Sequence, residues 1–161
     1  MRRLLGALRM LVTAAAVVGV LGYAAAAVLT VGDVIGRQIG TPIPGMVDLV
    51  QLFVLGGAWL VIPYAFMTGA HVGVDLVVDM LPRAVERGAR AVASLAAVGL
   101  LGLMLMECYK AFQMQILFGD KSQQLGIPIM YYWVPLLIGV GLSILAALLT
   151  LIPRPRVEAV E

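Results

Sequence analysis

Four runs of apolar residues, each bounded by charges, prolines or glycines, set the organisation of the chain. Met10 to Val31 passes 22 positions without a charge. Gly45 to Thr68 carries Asp48 in its first turn and Pro63 near its far end. Ala91 to about Tyr109 holds Glu107 and Cys108 at its exit, and Ile129 to Ile152 is uncharged throughout. Runs of this kind approach the roughly 20 residues needed to cross a hydrocarbon core about 30 Å thick. Backbone groups in hydrocarbon must be satisfied within the segment, so runs this long predict helices and not barrel strands. The expected fold class is an all-α integral membrane protein, a single membrane domain over residues 1–161 with spans near 10–31, 45–68, 91–109 and 129–152. The connections fall at about 32–44, 69–90 and 110–128.

The middle connection is the most patterned polar stretch. Leu76 to Arg90 mixes Leu76, Val77, Met80, Leu81 and Val85 with Asp79, Arg83, Glu86, Arg87 and Arg90. That mixture predicts a short amphipathic element in the headgroup plane between helices two and three. Pro82 suits a first helical position, and Glu86 with Arg90 forms an i,i+4 pair.

Charge then sets orientation. Of the 11 Lys and Arg residues, three lie at the N-terminus (Arg2, Arg3, Arg9), three in the middle connection (Arg83, Arg87, Arg90) and two in the C-terminal tail (Arg154, Arg156). Arg37, Lys110 and Lys121 are left for the other two connections. Cytoplasmic loops carry the excess of positive charge, so both termini and the middle connection are expected inside. Tyr131, Tyr132 and Trp133 fit an aromatic belt at the outer interface. The N-terminus also has features of a signal peptide, with its arginines before an apolar run and small residues at Ala24 to Ala27. The run exceeds the 7–15 residues of a usual signal core, which favours a retained anchor.

Composition agrees: 62% of residues are hydrophobic and 12% charged, against about 45–50% and 25% in soluble domains. A net charge of +2 points to no nucleic-acid partner. The chemistry-bearing residues are few. No GxxxxGK[ST] sequence supports ATP hydrolysis, one cysteine makes no dithiol, and one histidine in a loop makes no haem anchor. Neither enzymatic activity nor a cofactor is expected. His71, Asp75 and Asp79 are spaced as one helical row, but Gly69 and Gly73 interrupt it and no second histidine completes a metal set. In the simpler reading Asp75 caps the amphipathic element while His71 hydrogen-bonds near the interface.

Asp48 sits about one turn from the outer end of span two and Glu107 near the outer end of span three, so neither ionisable group is expected at mid-membrane depth, where carriers place theirs. Asp48 is either a carboxylate held by its own helix N-terminus or a contact to another helix or subunit. Glu107 is expected to pair with Lys110 one turn on. Ala15 with Gly19 and Gly22 with Ala26 form small-xxx-small pairs that allow close helix approach. Pro63 and Pro135 are expected to kink or start their helices.

The segment Gly69 to Pro82, GAHVGVDLVVDMLP, resembles the signature of the small membrane subunit of tripartite ATP-independent periplasmic (TRAP) transporters, a Gly-x-His-x-x-Val-Asp stretch followed by Leu-Pro. Here these are Gly69, His71, Val74, Asp75, Leu81 and Pro82. Asp33 and Arg37 after span one, Asp48 opening span two, and Ser122 with Leu125-Gly126-Ile127-Pro128 before an aromatic start to span four agree in order. The chain departs from the pattern at Gly45-Met46-Val47, where the family often has a tryptophan and paired acids.

The resemblance implies a non-catalytic scaffold subunit in a bacterial inner membrane. Its partners would be a large permease subunit holding the substrate and ion sites, a periplasmic solute-binding protein, and lipid. Uptake of organic acids would be driven by an ion gradient, usually sodium. His71, Asp75, Pro82, Asp48 and Glu107 are then structural or subunit-contact candidates. A self-contained four-helix exporter is the competing class, but it needs a carboxylate in span one and Met10 to Val31 has none. An anchor or assembly subunit of another membrane complex is the remaining alternative.

Overall fold

A computed structural model describes residues 2–68 and 83–150. They form four helices: α1 (Arg2–Gln38), α2 (Met46–Thr68), α3 (Arg83–Phe118) and α4 (Met130–Thr150). All four are long and apolar enough to cross a membrane. The stretch 76–82 of the expected amphipathic element lies outside the described residues; Arg83 to Arg90, its second half, is the start of α3.

The helices outrun the apolar runs that predict them. α1 continues past Val31 through Asp33 and Arg37, and α3 continues past Tyr109 to Phe118, so the connections narrow from 32–44 and 110–128 to 39–45 and 119–129. Polar residues do not end a helix; loss of helical backbone geometry does. Both ends close in the same way, on a glycine in the left-handed region that ordinary side chains avoid. At α1, Gly40 (φ 79°) donates to the Arg37 carbonyl and Thr41 donates to that of Gly36. At α3, Gly119 (φ 69°) donates to Ile116 and Asp120 to Gln115. These paired bonds are Schellman caps, and they occupy carbonyls that a helix end leaves open.

Packing runs in the order α1, α2, α4, α3, with each helix on the next. Lipid tails are as apolar as leucine, so close backbone approach and not apolar burial holds such helices together. The crossings accordingly use glycine. Gly19 and Gly57 face each other across α1 and α2, where a Cβ on either would stand 2.7 Å from the other's carbonyl oxygen. Gly139 of α4 lies against the Trp59 carbonyl of α2, with no space for a Cβ. Val12, Val140, Pro63 and Ser143 are the largest side chains fully enclosed. Pro63 and Pro135 both fall inside helices and not at their starts. The Ser143 hydroxyl donates to the Gly139 carbonyl one turn back, so this buried polar group is satisfied within the seam.

Candidate functional site

The two short connections meet at one end of the bundle, and the polar residues there bind the chain to itself. Asp33, in the last turns of α1, is almost fully enclosed. One carboxylate oxygen accepts from Arg37 Nε at 2.7 Å, the other from the Ile43 backbone N–H at 2.9 Å. The link that follows α1 is Thr41-Pro42-Ile43-Pro44. Proline has no N–H, so the amide taken by Asp33 is the sole donor between Pro42 and Pro44. Gly36 serves the same turn, since a side chain there would collide with the Thr41 carbonyl.

Asp48 does comparable work at the start of α2, but on a distant segment. Its Oδ2 accepts from the backbone N–H groups of Gln124 at 2.9 Å and Leu125 at 2.7 Å, with the Ser122 side chain beside the same carboxylate. The Tyr132 hydroxyl, buried at the start of α4, donates to the Asp48 carbonyl at 3.0 Å. Of the two readings open from the sequence, the geometry shows the contact to another element: the carboxylate holds the α3–α4 connection. Gly45 (φ 70°) completes the junction by leaving room for the Leu125 side chain, which fills the place of its absent Cβ.

The α3–α4 connection is braced internally as well. Ser122 N–H donates to the Ile127 carbonyl, Ile127 N–H returns a bond to Ser122 Oγ, and Ile129 N–H donates to Asp120. Trp133 Nε1 donates to Gln115 Oε1, which ties α4 to α3 just below the connection, with Phe112 packed beside the indole. The outcome is a firm surface made of both connections. Among the described residues, no group of three His, Cys, Asp or Glu comes together as a metal site would require.

The candidates from sequence fare unequally. His71, Asp75 and Pro82 lie outside the described residues. Glu107 pairs with Lys110 at 2.8 Å, but its expected place at the outer end of the third span is corrected: 108–118 remain helical beyond it, so it stands well inside α3. Asp33, Ser122 and Tyr132 carry more of the junction than the sequence reading assigned to them. The i,i+4 spacing of Asp33 and Arg37 and the single amide between Pro42 and Pro44 were the available signals. Nothing local marked Gln115, whose partner is on another helix.

Residues 26–156 match the family described as "Tripartite ATP-independent periplasmic transporters, DctQ component". No curated protein and no solved structure matches the chain. A match over most of the sequence joins the four-helix membrane fold and the Asp48 junction to the motifs read from the sequence: this protein belongs to the DctQ component family of TRAP transporters, and is the small component of such a transporter.

Proposed function

We propose that this chain is a non-catalytic scaffold subunit, which joins a large permease subunit and a periplasmic solute-binding protein in importing organic acids on a sodium gradient. Family membership supports the assembly. The observation that carries the scaffold role is the engagement of Asp33, Asp48 and Glu107 within the helical bundle and its connections. Asp33 and Asp48 are spent on the two connections, and Glu107 is paired with Lys110. A carrier keeps ionisable groups poised for its cargo in the membrane; here they are committed to structure. Reconstituted alone in liposomes under a sodium gradient, the chain is expected to take up no organic acid. Uptake well above that of empty liposomes would overturn the scaffold role.

The same reading places the protein in the bacterial inner membrane, with both termini in the cytoplasm and the junction of the two short connections in the periplasm. The support is the bias of Lys and Arg toward the termini and the middle connection. Reporter fusions at Gly40 and Gly119 are expected to read periplasmic and one at Glu86 cytoplasmic. A periplasmic readout at Glu86 reverses the orientation.

A further inference from the structure

α3 differs from the other helices in how little of it is covered: none of its membrane-spanning window is buried, and its extensive packing is with α4. The side toward α4 carries Cys108, Phe112 and Gln115, all half-buried. Around the helix from these, Leu100, Leu103, Glu107, Lys110, Met114 and Leu117 are exposed. Their alternating spacing of three and four is that of a seam into which a second helix interlocks.

The ion pair in that seam bears on what covers it. Trp133 of α4 bonds to Gln115 of α3, so those two residues share a level. At about 1.5 Å per residue, Trp133 is about 4 Å inside the start of α4, and Glu107 is about 12 Å further along α3. Glu107 therefore stands about 16 Å down, near the middle of a core about 30 Å thick. Lys110 does not reach back toward the headgroups, as a lysine facing lipid does. Its ammonium is held 2.8 Å from the carboxylate of Glu107, one turn nearer the membrane centre, while the two side chains remain 60% and 65% exposed. Hydrocarbon offers such a pair no hydrogen bonds, and intramembrane charges face protein or water.

We propose that this face of α3 receives a transmembrane helix of the transporter's large membrane component, with apolar side chains for Leu100, Leu103 and Met114 and a polar or charged group for the Glu107–Lys110 pair. This rests on the assembly reading given above. Methionine beside the pair suits an interface, because its unbranched chain adapts to the opposing surface.

The test uses the whole transporter, expressed in a bacterial membrane, with a benzophenone amino acid at Leu103 or Met114 of α3, or at Val20 or Val28 on the exposed side of α1. Adducts to the large component are expected from both α3 positions and from neither α1 position. Adducts from α1 alone would overturn the assignment to α3 and leave the assembly intact. So would an α3 adduct to a second copy of this chain, or no protein adduct at α3 while the components still co-purify. Failure of the chain to co-purify with the large component overturns both readings.

A charge series reads the pair itself, with recovery of the large component expressed per amount of this chain. Lys110→Leu leaves Glu107 unpaired and is expected to lower recovery about tenfold, whereas Glu107→Leu/Lys110→Leu returns it to within about threefold of the unaltered protein. Unchanged recovery with Lys110→Leu alone would show that the pair does not lie in the interface.

Discussion

Gly139→Leu is expected to separate α4 from α2 and to abolish recovery of a monodisperse protein in mild detergent. The added side chain meets the Trp59 carbonyl, a backbone group that can move only if α2 moves with it. Forcing extra carbon into a packed seam costs about 1–3 kcal/mol and more where backbone blocks it, a sizeable fraction of the roughly 5–15 kcal/mol typical of a folded domain. Gly139→Ala should show the lower part of that range as a reduced unfolding midpoint, and leucine the upper part or beyond. Gly141, two residues on, is the control. A Cβ there meets nothing, and alanine in place of a helical glycine is expected to be neutral or to stabilise by up to about 1 kcal/mol. The effect is large because α2 and α4 are the inner pair in the packing order, so parting them divides the molecule into two hairpins. Equal midpoints for Gly139→Ala and Gly141→Ala would refute this account of the seam.

Asp48→Ala is the second large effect, and it is local. The amides of Gln124 and Leu125 lose their acceptor, while the helices keep their own contacts. Hydrogen exchange at Gln124 and Leu125 is expected to rise about tenfold or more, because charge-assisted bonds to a fixed carboxylate are replaced by transient bonds to water. Asp48→Asn should fall between alanine and the native residue, since an amide oxygen still accepts but carries no charge. Tyr132→Phe removes a bond to a backbone carbonyl and leaves the carboxylate in place, so exchange at the two amides should barely change. Exchange that is no faster in Asp48→Ala than in Tyr132→Phe would mean that the carboxylate does not hold the connection.

The existence and order of the four helices could be read from apolar run length, because the membrane imposes both length and helical backbone. Their ends could not be read from polarity. Asp33 and Arg37 look like loop residues, yet they pair along the helix, and the stop comes at Gly40; Glu107 and Lys110 mislead in the same way before Gly119. The junction was legible only in part. The position of Asp48 in the first turn of α2 was evident, but its partners lie in another connection, and no local spacing announces a bond between residues so far apart in sequence. For His71, Asp75 and Pro82, the sequence remains the source of the argument.

The separation between Asp48 and Gln124, 76 residues, also orders events during synthesis. At about 5–20 residues per second, a ribosome finishes Asp48 some 4–15 s before the amides that will bind it. For that interval the carboxylate has only water as a partner, so the first hairpin must be delivered with its tip in an aqueous compartment and cannot pause with the tip in lipid. Fastening the second hairpin to the first is then among the last steps of biogenesis, and a chain stalled before residue 122 would expose an unfastened α1–α2 tip to quality-control proteases.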